Sequence, residues 1–183
     1  RYSSSAASDV YKRQVTTTAA ANVTEHGRGW EGEMGVWGDH HIPGLTKLAT
    51  RLNSTGTISL VQLFHGGMRA PRALNGVRPI SASENTEPGM DGEYTREMSS
   101  NEVSQMIQSF TDAAVRCEQA GFSGVELHGA HSYLICQFLG VKTNRRTDQW
   151  GGDTNGRSRF LLELIKSIRA ATSEHFLIAV RIS

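Results

Sequence analysis

The sequence predicts an α/β protein, and within that class a partial (β/α)8 TIM barrel with about four of the eight strands present. Apolar segments alternate with amphipathic ones in the order strand, helix, strand, helix, strand, helix, strand, and no hairpin turn joins two strands. This alternation is typical of a parallel sheet with crossover helices, which either opens into a doubly wound sheet or closes into a barrel. Long polar loops follow the strands whereas the connections from helix to strand are short, and this asymmetry favours the barrel.

The first half of the chain supplies two predicted strands and a helix. Residues 15–23 are rich in β-branched and small side chains and form the first strand. Residues 45–56 carry apolar side chains at a spacing of three and four, which predicts an amphipathic helix that ends at Gly56. Residues 57–65 are a short apolar segment between turn formers, which predicts a strand covered on both faces.

The second half repeats the pattern. Residues 101–121 have the most regular helical periodicity of the chain, and Ser99 or Ser100 precedes them as a candidate cap. A strand is predicted at residues 122–130, a helix at 156–172 and a last strand at 175–183.

The two ends of the chain differ from the rest. Residues 1–14 are small, polar and without periodicity, and we expect them to be a disordered, non-native leader. Residues 15–183 then form the partial barrel domain. The chain starts with Arg1 rather than methionine and stops within a predicted strand, so we expect it to be a fragment of a longer protein.

Composition excludes several classes of function. The net charge is +1 and no basic stripe is present, so a nucleic-acid partner is not expected. No run of 18 apolar residues predicts a membrane span. The two cysteines, Cys117 and Cys136, lack the spacing of a metal or redox motif. Two thiols in a chain of this length indicate a reducing compartment, so a cytoplasmic location is expected.

The segment GVELHGAHSYL, residues 124–134, places a cluster of polar side chains at the end of the third predicted strand. In a parallel barrel these residues lie at the mouth, where a small-molecule substrate would bind. Two neutral imidazoles, His128 and His131, can each donate one hydrogen bond to the same carbonyl oxygen and stabilise negative charge that grows there. The phenol of Tyr133 can supply a proton.

Other interpretations of this segment compete. His-x-x-His can hold a metal, but two ligands are too few and no further pair of ligand spacing occurs, so we expect no metal site. Serine-hydrolase chemistry lacks its G-x-S-x-G turn. Histidines that only satisfy backbone groups at a strand end are the third alternative.

Residues 124–165 resemble the signature region of the Old Yellow Enzyme family of flavin-dependent ene-reductases, also called NADH:flavin oxidoreductases. They contain H-G-A-H-x-Y-L, Q-F-L, T-N-x-R-T-D-x-x-G-G and N-x-R-x-R-F in the order of the family. VQLFHGGMRAP and AVRIS resemble the ends of its third and fifth strands, so the resemblance covers residues 15–183, about the N-terminal half of a typical member. Gly140-Val141 and Asn155-Gly156 depart from its usual pattern.

The resemblance implies a barrel that binds FMN at its mouth and uses NAD(P)H as reductant. It implies that His128 and His131 bind the substrate oxygen or the nicotinamide amide, and that Tyr133 is the proton donor. It places Gln62 at the pyrimidine edge of the flavin and Arg181 near flavin N1. Ala20 matches a second-strand residue that touches the ring system. The full-length form is compatible with a homo-oligomer, whose state the resemblance leaves open.

The function that the resemblance implies is an FMN-dependent transfer of hydride from NAD(P)H to an activated alkene such as an α,β-unsaturated carbonyl. The alternative from a different class is a flavin-independent TIM-barrel lyase, aldolase or binding module that uses the same rim. Four strands cannot close an eight-stranded barrel, so we expect the 183-residue chain alone to be inactive.

Three further polar residues are interpreted as structural. Arg145, Arg146 and Asp148 lie in a compact turn, where an Arg–Asp pair that fixes the loop is a better explanation than catalysis. Trp150 is expected to pack beneath this turn.

Overall fold

A computed structural model describes residues 14–86 and 94–183. Most of the predicted leader therefore lies outside the described residues. Its last residue, Gln14, accepts a hydrogen bond of 2.9 Å at its carbonyl from the amide of Ile58, and so continues the pairing of the first strand.

Four long parallel strands form most of the sheet, and all four predicted strands are confirmed. They are β1 (Val15–Asn22), β3 (Ile58–Phe64), β6 (Gly124–Gly129) and β7 (Leu177–Ile182). They lie side by side in chain order, and the two-residue strand β2 (Met34–Gly35) pairs with the other edge of β1. Because a doubly wound sheet reverses its strand order at a switch point, this unbroken order agrees with the barrel instead.

Three long helices cross from one strand to the next. They are α1 (Ile42–Asn53), α3 (Ser100–Gln119) and α5 (Thr154–Ala171). The predicted start and end of the first helix were each wrong by three residues. A 3-10 turn at Asp39–His41 leads directly into a first turn that contains proline, and the helix ends at Asn53, before the turn that contains Gly56. The cap of α3 is Ser99, whose hydroxyl accepts from the Glu102 amide while the Glu102 carboxylate accepts from the Ser99 amide.

Short elements interrupt the loops that follow β3 and β6. The loop after β3 contains α2 (Arg72–Asn75) and the parallel two-residue strands β4 (Ile80–Ser81) and β5 (Arg96–Glu97). The loop after β6 contains α4 (Leu134–Leu139), a short helix that the sequence pattern does not predict. Six residues are too few to show helical periodicity in the sequence.

Helices and strands enclose one apolar core. Alternate strand residues such as Val61, Leu63, Val125 and Leu127 are fully buried against the helices. Phe160 of α5 contributes an aromatic ring whose centroid lies 4.4 Å from that of Phe138 and 6.4 Å from that of Phe110. Because strand side chains alternate between faces, residues 62, 126, 128 and 181 point to the other face of the sheet.

The loop after β1 contains glycines at residues 27, 29 and 32, which is the spacing G-x-G-x-x-G. In a dinucleotide-binding fold this turn runs into a helix whose N-terminus binds phosphate. Here the segment runs into β2 instead. The spacing therefore does not indicate a Rossmann site.

The turn of Arg146 and Asp148 is structural, as predicted. The guanidinium of Arg146 is buried and donates two hydrogen bonds to the Asp148 carboxylate, of 2.6 and 2.9 Å. It also donates to the carbonyls of Ala82 and Met98 on the preceding loop. Arg145 likewise donates to the side chain of Asn85 on that loop. These contacts join the loop after β6 to the loop after β3, and Trp150 is buried beside them.

Close approach explains one departure from the pattern of the family. A Cβ atom on Gly156, at the start of α5, would lie 1.8 Å from the carbonyl oxygen of Gly151. No larger residue fits unless the loop moves.

In the ranges the structure describes, no helix combines the length and apolar composition needed to cross a bilayer.

Candidate active site

Adjacent strands bring the predicted cofactor residues to one level of the sheet. Ala20 of β1 lies opposite Gln62 of β3, and Gln62 lies opposite Glu126 of β6. An extra residue in β1 between Thr17 and Ala20 shifts the register and produces the first of these pairings. Two residues further toward the carboxyl ends of the strands, His128 of β6 lies opposite Arg181 of β7.

The three predicted catalytic side chains come together above this level. The ring centroids of His128 and His131 lie 5.1 Å apart with the rings nearly perpendicular. The Tyr133 ring centroid lies 5.1 Å from that of His128 and 6.4 Å from that of His131. The Nη2 atom of Arg181 is 3.4 Å from Nε2 of His131. The cluster is compact enough for its polar atoms to contact one small ligand.

An unusual turn positions His131. Both His131 and Ser132 have left-handed backbone conformations, with φ of 56° and 59°. For residues other than glycine this conformation costs about 1–2 kcal/mol per residue. The carbonyl of His131 accepts a 3.0 Å hydrogen bond from Arg69, and that of Ser132 accepts a 2.6 Å bond from the buried amide of Gln137. Contacts from two other segments thus hold the turn in place.

The ring of Tyr133 is held between two neighbours. The Phe64 ring meets the Tyr133 ring edge-on, with the two centroids 4.4 Å apart. The guanidinium carbon of Arg69 lies over the Tyr133 ring, 5.2 Å from its centroid, in a cation–π contact. Trp30, from the loop after β1, packs against Phe64 at 5.7 Å. The end of β3 and the loop after it therefore hold the Tyr133 ring, and the loop after β1 supports Phe64 from behind.

Burial determines the charge of His128. The residue is 4% exposed, and desolvation, with smaller electrostatic contributions from His131 and Arg181, lowers its pKa to about 4. Its Nδ1 atom is buried and has no hydrogen-bond partner among the described residues. A neutral imidazole keeps one N–H, so His128 can still donate a hydrogen bond to a carbonyl oxygen without carrying positive charge.

We expect the ring signals of His128 to titrate near pH 4 in histidine NMR spectra of the complete protein without FMN. Because the folded-state pKa lies below the unfolded value near 6.5, the contribution of His128 to stability is present above pH 6.5 and is lost as the pH falls toward 4. A His128→Gln variant assigns the signal. A midpoint near 6.5 would contradict the burial argument.

His65 follows β3 directly and does not join the cluster. Its Nδ1 atom accepts a 2.9 Å hydrogen bond from the Gly67 amide, and its ring lies so close to Gly27 that a Cβ atom there would be 2.5 Å from it. Burial lowers its pKa to about 4. It is a structural residue of the β3 loop.

The sequence assigned no role to three residues of the site. The side chains of Arg69 and Gln137 donate hydrogen bonds to the backbone carbonyls of the His131 turn, and no pattern in the sequence indicates such contacts. Glu126 belongs to the segment predicted to lie at the mouth, two residues before His128 on the same face of β6, but no role was predicted for it. Period-two spacing alone identifies that position as facing the site. Among the described residues, no three His, Cys, Asp or Glu side chains group closely enough to hold a metal ion.

Known proteins match this chain in sequence. The model of the NADH:flavin oxidoreductase / NADH oxidase family matches residues 8–183. The probable NADH-dependent flavin oxidoreductase YqiG of Bacillus subtilis is 38% identical over 177 residues, which cover 92% of this chain and 46% of that protein. NADH:acrylate oxidoreductase of Vibrio harveyi is 38% identical over 169 residues, 90% of this chain and 17% of that protein.

A solved structure is also similar. The old yellow enzyme homologue from Zymomonas mobilis is 27% identical and superimposes with a TM-score of 0.87, over 94% of this chain and 52% of that one. The predicted resemblance and the predicted partial TIM-barrel fold are therefore confirmed. The chain spans about half of the Bacillus relative and less of the Vibrio one.

Proposed function

Because the chain belongs to the NADH:flavin oxidoreductase / NADH oxidase family, we propose that the complete protein transfers hydride from NAD(P)H, through bound FMN, to an activated alkene such as an α,β-unsaturated carbonyl. The observation that carries the proposal is the convergence of His128, His131 and Tyr133 beside Arg181. The name of the Vibrio relative, NADH:acrylate oxidoreductase, supports a conjugated alkene as the substrate class.

The residues at the level below the histidines fit a flavin. The amide of Gln62 can donate to and accept from the pyrimidine edge. The permanent charge of Arg181 would stabilise the negative charge that a reduced flavin carries around N1 and C2=O. Ala20 is small enough to leave room for a planar ring beside Gln62. The unpartnered Nδ1 of the buried His128 is a further polar atom that a ligand near the pair would help to satisfy.

The residues of this chain would do three things for the substrate. Neutral His128, with His131, would bind the carbonyl oxygen and stabilise the negative charge that develops on it. Tyr133, held by Phe64 and Arg69, would place its hydroxyl proton near the α-carbon. Trp30 and Phe64 would form an apolar wall that reduces the access of water.

The colour of the complete protein tests the proposal. We expect a yellow preparation whose absorbance band is lost on acid treatment and restored by FMN, and which reduces an enone with NADH or NADPH. A colourless protein that does not bind FMN would instead support the flavin-independent lyase, aldolase or binding module.

We expect a different result for the 183-residue chain alone. The structure has four long strands, and no strand among the described residues pairs with the outer edge of β7. An unpaired edge exposes backbone donors and acceptors and promotes association. Size-exclusion chromatography should show aggregates, and enone turnover should be absent. A monodisperse monomer that reduces enones would refute this prediction.

The setting of the protein is also a proposal. Cys117 and Cys136 are both free thiols, which supports a reducing compartment such as the cytoplasm. A homo-oligomer of the complete protein is compatible with the fold, and its state is measured by light scattering.

A further inference from the structure

A carboxylate contacts the amide that is proposed to bind the flavin. The Nε2 atom of Gln62 donates a 2.5 Å hydrogen bond to Oε1 of Glu126. The two residues are direct partners on the adjacent parallel strands β3 and β6, so their side chains leave the sheet side by side. Both face away from the helices, on the same face as His128 and Arg181.

We propose that Glu126 is a positioning residue that fixes the orientation of the Gln62 amide toward FMN. The inference rests on the proposed function, because it takes Gln62 as a flavin ligand. An amide side chain has two orientations that differ by the exchange of its oxygen and nitrogen. An ionised carboxylate accepts hydrogen bonds and donates none, so it selects the orientation in which the nitrogen faces it.

This selection leaves a defined set of groups for the ligand. With one N–H of Gln62 bound to Glu126, the carbonyl oxygen Oε1 and the second N–H remain. The pyrimidine edge of a flavin presents an N–H beside carbonyl oxygens, which need one acceptor and one donor. Without Glu126 the Gln62 amide is free to rotate. In one of its two orientations the amide N–H then faces the flavin N–H, and the amide oxygen faces a flavin carbonyl oxygen.

The charge of Glu126 has a second effect. Reduction of the flavin adds negative charge near its pyrimidine edge, and a neighbouring carboxylate opposes it. Arg181, on the next strand and one step above Glu126, acts in the opposite direction. Glu126 would lower the reduction potential of the bound flavin and Arg181 would raise it. Removal of the Glu126 charge alone should therefore make this potential more positive.

The test is a double-mutant cycle for FMN affinity in the complete protein, with Glu126→Leu, Gln62→Leu and the double variant. Each apoprotein is titrated with FMN and followed by flavin fluorescence. We expect Glu126→Leu to weaken FMN binding by about ten-fold, the effect of losing one charge-assisted hydrogen bond that preorganises a ligand. In the Gln62→Leu background the same change should have less than about a two-fold effect, because no amide is left to orient.

Two further measurements separate positioning from general damage. Glu126→Gln keeps the size of the side chain and removes its charge, and it should raise the midpoint potential of the bound flavin. Glu163→Gln removes a carboxylate from the exposed pair with Lys166 on α5 and should change neither affinity nor potential. Thermal unfolding of each apoprotein shows whether the variants are folded.

The possible outcomes decide between the claims. A yellow protein in which Glu126→Leu binds FMN normally, or loses affinity equally in both backgrounds, overturns the role of Glu126 and leaves the proposed function standing. An unchanged affinity in Gln62→Leu removes Gln62 as a flavin ligand and the inference with it. A protein that binds no FMN overturns the proposed function itself.

Discussion

Replacement of His128 by alanine in the complete enzyme is expected to slow the reduction of an enone by about two orders of magnitude. The loss of one hydrogen-bond donor to a developing oxyanion typically costs about 3 kcal/mol of transition-state stabilisation. His128 is buried and its low pKa keeps it neutral at pH 7, so it offers a donor that water does not replace well. Stopped-flow measurement of the oxidative half-reaction reports this effect directly.

Two companion measurements make the His128 result specific. A phenol, which mimics the substrate oxygen, should bind more weakly to the variant, whereas reduction of FMN by NAD(P)H should change less. His128→Asn retains a side-chain donor and should recover part of the rate. Unchanged enone kinetics in His128→Ala would remove this residue from the proposed role.

The Arg146→Met variant is expected to lose about 3 kcal/mol or more of unfolding free energy. The Arg146 side chain is 3% exposed and bonds a carboxylate and two backbone carbonyls. Its removal leaves two buried carbonyls without their donor, which is the costly case for a hydrogen bond, and removes the partner of the partly exposed Asp148 carboxylate. Lys166→Met is the control, because its exposed pair with Glu163 should contribute less than about 0.5 kcal/mol. Urea denaturation of the complete protein measures the unfolding free energy of both variants. Equal denaturation midpoints for Arg146→Met and Lys166→Met would contradict the prediction.

The contribution of the Arg146 turn should also depend on pH. The hydrogen bonds from Arg146 lower the pKa of Asp148 from 3.8 to about 2. A carboxylate with a lowered pKa contributes stability above its unfolded value and loses it as the pH falls through the folded value. The difference in stability between the wild type and Arg146→Met should therefore narrow between pH 4 and pH 2. A constant difference across this range would mean that Asp148 does not titrate with the turn.

The strands, and the place of the proposed catalytic side chains at a strand end, were predictable because each depends on a local pattern. The apolar segments 15–23 and 57–65 are short and bounded by turn formers, and both form strands. His128, His131 and Tyr133 lie within six residues of one another, so placing the strand end also placed them.

What could not be predicted depends on contacts between distant segments. The start of α1 at Ile42 follows from a 3-10 turn that has no periodicity of its own. Arg69 supports the His131 turn from 62 residues away, and Gln137 bonds both that turn and the loop after β3. Such contacts arise only when the strands are already paired, so the sequence pattern of either segment carries no trace of them.

The register of β6 has a consequence for how such proteins can diverge. Odd-numbered residues such as Val125 and Leu127 pack under the helices, and even-numbered ones face the mouth. Deletion of a single residue between 124 and 128 would move each later side chain of β6 to the opposite face of the sheet. An imidazole would then point into the apolar core and a leucine toward the proposed cofactor site. Natural variation in length is therefore expected to accumulate in the segments beyond Gly129 and to spare the strand itself.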